Sequence, residues 1–371
     1  MFIFLGFHET KIIPGDGRQS SQTQPNQTMD PRGFPTSLPE FQKVFPNNQA
    51  CKKYLESVRW PDGFICPRCA TQGEPFRLPD SEESCSVVLK CRACRKPTSL
   101  TAGTVMQSSH TPLTTWFWAA YLVTTQTPGQ SALQFQRQLG LSRYETAFQI
   151  LHKLRAGMVR PERDCIGGEY PVEVDECMVG GRSRNLGQGV HDMAIVSGAV
   201  EVRPRKETDD RKASRYAHHE GGKPLRRTIY AGRLRLRISE SRTRPVLCKF
   251  VTDNVIPGST IRTDACNGYD PLQSLGYVHH KLALNGDPEK AEAHLPMIHI
   301  VFSNLKAWLI GTHHGRIERH HLQAYLNEFV FRFNRRFYPM TAFNSVLGLA
   351  ARSIPPTYEE LYSGEWQHPA G

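Results

Sequence analysis

Two periodicities divide the chain. From Thr111 to Val123, Leu113, Trp116, Phe117, Ala120 and Leu122 fall mostly on one side of a helix. Thr127-Pro-Gly129 breaks that run. Ser131 opens a short helical stretch that ends at Gly140, a residue suited to the left-handed position after a helix. A further helix is predicted from Arg143 to Met158, with Ser142 as N-cap and Glu145 completing a capping box. Helix, Gly-containing turn and helix is a helix-turn-helix-like order, and Arg143, Lys153 and Arg155 on the second helix are its candidate DNA contacts.

Beyond Tyr170 the period falls to two. Val172 and Val174 point one way, and Glu173 and Asp175 the other, with Asp175 near the strand end beside a Gly-Gly turn. Glu173 shares the Asp175 face as a supporting group, and Glu176 is expected to point away. Strand-like runs follow at His191–Val202, Thr228–Ile238, Ser259–Asp264 and Tyr277–His280. Ile298–Ile310 then returns to helical period. His320–Arg336 carries Leu322, Tyr325, Leu326, Phe329, Val330 and Phe333 as a packing stripe. His313-His314 reads as loop, and residues 346–371 as an irregular tail.

Composition adds limits. A chain of 371 residues suggests two or three domains, and 39% apolar residues suffice for a folded core. No run approaches the roughly 20 apolar residues of a membrane helix; Met1–Phe7 is too short. Residues 1–40 are expected to be a disordered extension, its first 28 contributing nothing. The net charge is +11, and 32 of the 46 basic residues are Arg, which favours phosphate partners. Residues 182–249 hold 17 Lys/Arg against 7 Asp/Glu, a net +10. That stretch includes Arg203, Arg205 and Lys206, then Arg233, Arg235 and Arg237 on alternate strand positions. It is expected to guide phosphates.

Four of the ten cysteines form two pairs, Cys66-Pro-Arg-Cys69 and Cys91-Arg-Ala-Cys94, with 21 residues between them. Two such turns complete a tetrahedral four-thiolate shell, so a structural Zn²⁺ is expected. Cys85 could compete but has no partner turn. The scattered remainder shows no disulfide rhythm and points to a reducing compartment. A module this small would depend on its metal to stay folded.

Taken alone, Asp175 and Asp264 could be turn or cap residues. Longer motifs change the weighting. Arg59-Trp-Pro-Asp-Gly-Phe-Ile-Cys-Pro-Arg-Cys69, Thr98-Ser-Leu-Thr-Ala-Gly-Thr104, Val172-Glu-Val-Asp-Glu176 with Gly180-Gly181, Thr263-Asp264 with Gly268-Tyr269, Leu305–Gly315 and Leu322–Arg336 occur in that order. The chain resembles bacterial insertion-sequence DDE transposases with an N-terminal zinc ribbon, of the ISXO2-like family. The resemblance implies an α/β, ribonuclease-H-like catalytic domain, a mixed central sheet flanked by helices, over 168–345. Before it would come a zinc ribbon (41–105) and the helical DNA-binding unit (106–165). It implies Mg²⁺ or Mn²⁺ as a pair of catalytic ions. It also implies binding to terminal inverted repeats, 3′-end cleavage and strand transfer, a homodimer or higher oligomer on DNA, no membrane association and a cytoplasmic, nucleoid-associated location.

The resemblance assigns the first two acids to Asp175 and Asp264, and a third position to Glu, Asn or His followed by Lys. His299 and Asn304 are the two candidates, with Lys306 as the Lys. His299 and Lys306 are seven apart, about 700° of helix, and share a face. Asn304 and Lys306, two apart, point opposite ways. His299 is favoured, with Asn304 as rival. Two other readings stay open: a DNA-binding protein without catalysis, and a structure-specific nuclease of the same fold.

Overall fold

The computed structural model describes residues 35, 37–79, 87–126, 129–160, 163–180, 193–205, 228–283, 285–314, 317–352 and 356–363. Expectations for residues 1–28, Cys85 and Lys206 lie outside the described residues.

The N-terminal part begins with two helices that the hydrophobic pattern did not reveal. These are α1 (Leu38–Val44), capped by Ser37, and α2 (Asn48–Arg59), whose cap Asn47 accepts from the Ala50 N–H at 3.0 Å. Three short antiparallel strands follow: β1 (Phe76–Arg77), β2 (Val88–Lys90) and β3 (Pro97–Ser99). Next come α3 (Leu113–Thr125), α4 (Ala132–Gln138) and α5 (Tyr144–Ala156). Ser131 caps α4. Gly140 sits after it at φ +60°, and the Leu141 N–H returns to the Gln136 carbonyl at 3.0 Å, the bond that closes a Schellman turn. The α5 cap differs from the expectation. It is Arg143, with no side-chain bond, so the Ser142–Glu145 capping box is not formed.

The second part is built on β4 (Val172–Val179), β5 (Ala194–Pro204), β6 (Ile229–Ser239), α6 (Arg244–Asn254), β7 (Thr260–Asp264), a 3-10 turn (Asn267–Leu272) and β8 (Val278–Leu282). Five strands form one mixed sheet in the order β6-β5-β4-β7-β8. β4, β5 and β6 are antiparallel neighbours, whereas β4, β7 and β8 run parallel. After β8 come α7 (Pro288–His294), α8 (Pro296–His313) and α9 (Arg319–Asn334). The α9 stripe is buried from Leu322 to Val330, with Phe333 half-buried at its end, and packs with α8 against one face of the sheet: Cys177, Val196, Val200, Leu234 and Leu236 meet Ile298, Val301, Phe302, Leu326 and Phe329. On the other face, Val172, Val174 and Ile261 pack against Leu247, Phe250 and Val251 of α6 and against Tyr269.

The C-terminal segment departs from the expected irregular tail. It contains α10 (Pro339–Ala350) and α11 (Tyr358–Ser363). Phe343, Val346 and Leu347 of α10 join the N-terminal core, where Phe343 stacks edge-on to Phe41 at 5.6 Å between ring centres. The Val105 N–H donates to the Ala350 carbonyl at 2.9 Å. Phe343, Val346, Leu347 and Ala350 fall on one face of the helix, and that face is buried in the N-terminal core. The last helices therefore tie the N-terminal part to the sheet-bearing part.

Candidate active site

Alternation along β4 sends Glu173, Asp175 and Cys177 toward α8, and Val172, Val174 and Glu176 toward the α6 layer. β4 pairs with β7 in parallel, Val172 opposite Ile261 and Glu173 opposite Arg262. The pairing ends there; counted two residues on, Asp175 and Asp264 fall at the same level of neighbouring strands, and the charges of both reach His299. Asp264 is the last residue of β7, and its Oδ1 accepts the Cys266 N–H at 3.0 Å. The Asp175 Oδ1 accepts the Glu176 N–H at 2.8 Å.

Helix α8 completes the site. It has no side-chain cap of its own. Glu173 reaches from β4 in its place: Oε2 accepts the Met297 and Ile298 N–H groups at 2.7 and 2.8 Å. Two donors and the positive end of the helix favour a carboxylate there. Burial nevertheless pushes the Glu173 carboxyl up to about 7, with those two N–H groups pulling the other way. One position after Ile298, His299 presents Nε2 to the Asp175 Oδ2 at 3.1 Å. That hydrogen bond raises the His299 pKa, against the opposing effect of its partial burial.

Close approach of α8 to the sheet depends on Gly198. It lies opposite Asp175 on β5, and a Cβ there would stand 2.8 Å from the Phe302 ring and 2.9 Å from Ile298. Lys306, exposed, lies further along α8; burial pushes the Cys177 thiol up to about 12, with the Lys306 charge pulling the other way. Asn304 is half-buried and bonds to neither aspartate among the described residues. The structure thus brings Asp175, Asp264 and His299 together, with Lys306 beyond them.

The donor set of two carboxylates and one imidazole suits Mg²⁺ through its oxygens and Mn²⁺ better through its nitrogen. The three side chains are not drawn onto one point; among the described residues only two groups are that tight. A pair of ions about 3.5–4 Å apart would need ligands that do not all meet at one point.

One of the tight groups is the ribbon. Cys66 and Cys94 place their sulfurs 3.6 Å apart, and Cys69 and Cys91 3.7 Å. A tetrahedral ion with Zn–S bonds of about 2.3 Å sets sulfurs roughly 3.75 Å apart, so the thiols fit Zn²⁺. The two knuckles repeat each other. In each, the residue after the second Cys is left-handed (Ala70 φ 56°, Arg95 φ 59°) and donates back to the first Cys carbonyl. The other group, Glu318, His320 and His321, lies at the start of α9, where His321 packs on His152 and Phe148 of α5, apart from the aspartates.

The predicted DNA contacts separate. Arg143 is exposed at the start of α5, and Lys153 is half-buried. Arg155 is buried: Nε meets the Glu328 Oε2 at 2.7 Å and the guanidinium lies over the Tyr325 ring. It therefore presents nothing to DNA, because α5 is covered by α9 as well as by its own unit. Arg203 pairs with buried Glu201 at 2.6 Å, as does Arg233 at 2.8 Å. Arg205 lies over Tyr230, Arg235 donates to the Asp164 carbonyl at 2.6 Å, and Arg237 pairs with Asp253. The strand arginines that read as a phosphate-guiding surface are anchors within the fold.

Comparison with known families locates the same two units. Residues 166–334 match the ISXO2-like transposase domain, and residues 46–97 match a transposase zinc-ribbon domain. The chain belongs to the ISXO2-like transposase family. No curated protein and no solved structure gave a match. Both aspartates, His299 and Lys306 fall within the matched transposase domain, and all four ribbon cysteines within the matched ribbon. The transposase has no helix, among its described residues, long and apolar enough to cross a membrane.

Proposed function

We propose that this transposase cuts and joins DNA at the inverted repeats of an insertion sequence, and that Asp175, Asp264 and His299 hold its two divalent cations on a ribonuclease-H-like fold. The observation that supports this reading is the contact of His299 Nε2 with Asp175 at 3.1 Å, with Asp264 at the end of the parallel neighbour strand. Bound there, divalent cations would lower the pKa of a water and offset charge on the scissile phosphate. The chain's own groups supply position. Glu173 fixes the first turn of α8, Gly198 lets that helix lie close to the sheet, and Lys306 offers a point charge to a flanking phosphate. Hydrolysis breaks one P–O bond and frees a 3′-hydroxyl at the element end; that hydroxyl then attacks a target phosphodiester, forming a new P–O bond as the target's own 3′-oxygen leaves. No covalent link to the protein is needed.

The zinc ribbon, α4 and the exposed first turn of α5 with Arg143 are the proposed reader of the element end, in a helix-turn-helix-like arrangement. Pairing two ends calls for a homodimer or larger assembly. The test is incubation of purified protein with labelled inverted-repeat DNA in Mg²⁺ or Mn²⁺. Specific 3′-end nicking that disappears in Asp175→Asn is expected. Tight binding without nicking in either metal would leave only a DNA-binding protein and overturn the proposal.

A further inference from the structure

The opposite face of β4 holds a second charged assembly. Glu176, adjacent to Asp175, is 7% exposed, and both its carboxylate oxygens are engaged. The Tyr269 hydroxyl donates to Oε1, and the Arg242 Nε donates to Oε2 at 3.0 Å. Tyr269 is fully buried beneath α6. Arg242 is different: its side chain is 53% exposed, and among the described residues it makes no other side-chain bond. Its Nε is held by Glu176, while about half of the side chain stays open to solvent.

The loop that carries Arg242 is fastened to the segment that follows Asp264. Arg244 donates to the Asn267 carbonyl at 3.1 Å and pairs with Asp270 at 3.5 Å. Gly268 is required for the contact, since a Cβ there would stand 3.0 Å from the Arg242 carbonyl oxygen and 2.6 Å from Leu247. Arg242 is therefore tied at one end to the neighbour of the first aspartate and at the other to the loop after the second. The charge of Asp175 reaches it as well as that of Glu176. A DNA strand entering this site meets Asp175 and Asp264, and needs cations to hold its flanking phosphates. Lys306 stands on the α8 side. A guanidinium fork with one edge already oriented suits a phosphate on the other side.

We propose that Arg242 is a phosphate-binding residue of the cleavage site, aimed by Glu176 and Tyr269 as positioning residues. This rests on the proposed placement of the scissile phosphate at Asp175 and Asp264, so its test uses two readouts. The first is the salt dependence of affinity for a duplex carrying one inverted-repeat end, without divalent metal. Arg242→Ala should reduce the slope of log affinity against log salt by about 0.9, one phosphate contact, and Arg242→Lys should keep it. The second is the nicking rate, expected to fall roughly 10- to 100-fold in Arg242→Ala, and in Arg242→Lys for want of the fork. Tyr269→Phe should slow nicking with the salt slope unchanged, and Glu176→Gln should do the same to a smaller extent. Wild-type nicking with Arg242→Ala equal to it in rate and slope would overturn the proposal and leave the catalytic reading intact. Absence of nicking in the wild type, with the slope still reduced in Arg242→Ala, would keep the phosphate contact and overturn the cleavage reading instead.

Discussion

Glu328→Gln is a sharp perturbation of how the two parts of the molecule are joined. Glu328 lies on α9 with no exposed side-chain surface. It holds Arg155 of α5 at 2.7 Å and Arg332 at 3.3 Å, both guanidiniums themselves largely buried. Arg155 also donates to the Gln130 carbonyl at 3.3 Å and lies over Tyr325. Gln keeps the shape and removes the charge, so two buried cations lose their counter-ion. Breaking a buried pair in this way costs about 3–5 kcal/mol. At about 2–4 °C per kcal/mol for a unit of 150–250 residues, the midpoint of thermal unfolding should fall by roughly 6–20 °C. Arg155→Met should cost less, because Glu328 keeps Arg332. Differential scanning calorimetry gives the midpoints, and fluorescence anisotropy gives DNA affinity per folded molecule. Arg155→Met should leave the salt slope of DNA binding unchanged. An unaltered melting midpoint in both variants, with a slope reduced by about one phosphate in Arg155→Met, would refute the buried clamp and restore Arg155 to the DNA surface.

Other outcomes follow from the same structure. Gly198→Ala should push α8 away from the sheet, because Phe302 and Ile298 already occupy that space; a stability loss of about 1–3 kcal/mol is expected, with nicking slowed more than binding. Zinc analysis should find one ion per chain, and stripping it, or Cys91→Ser, should expose residues 46–97 to protease while 166–334 resists, because the ribbon shares its core with α3 and the sheet does not. His313 packs on Tyr325, its buried Nε2 has no hydrogen-bond partner among the described residues, and burial holds its pKa down to about 3. Its protonated form is favoured by the unfolded chain, so stability should fall as pH drops from about 6.5 toward 3, and His313→Leu should flatten that part of a melting-temperature profile.

What was legible from sequence depended on whether the cue was local. The Cys-x-x-Cys spacing, the alternation around Asp175 and the helical period of Ile298–Ile310 each involve neighbours in the chain, and β4, α8 and the four-thiol cluster appear where those cues placed them. The face shared by His299 and Lys306 needs only helix geometry. Cues that depend on a distant partner were misread. A helical wheel makes Arg155 a surface residue until Glu328, 173 positions away, is packed against it. Arg233 and Arg235 look like a basic strand face until Glu201 and the Asp164 carbonyl receive them. Phe343, Val346, Leu347 and Ala350 are spaced for one helix face, but where that face is buried shows only once Phe41 and Phe117 pack against Phe343. The Tyr269–Glu176–Arg242 assembly was half visible: Gly268-Tyr269 stood out as a motif, but nothing near Arg242 in sequence marks it as the partner of Glu176.

Asp175, Asp264 and His299 are the proposed divalent-cation site of the transposase. Titration of the zinc-loaded protein with Mn²⁺, followed by electron paramagnetic resonance of the free ion, tests it without needing DNA or turnover. Wild type is expected to take up Mn²⁺, with uptake weakened about tenfold or more in Asp175→Asn, Asp264→Asn and His299→Ala and unchanged in Asn304→Ala. Equal uptake by wild type and Asp175→Asn, or loss in Asn304→Ala with His299→Ala unaffected, would contradict it.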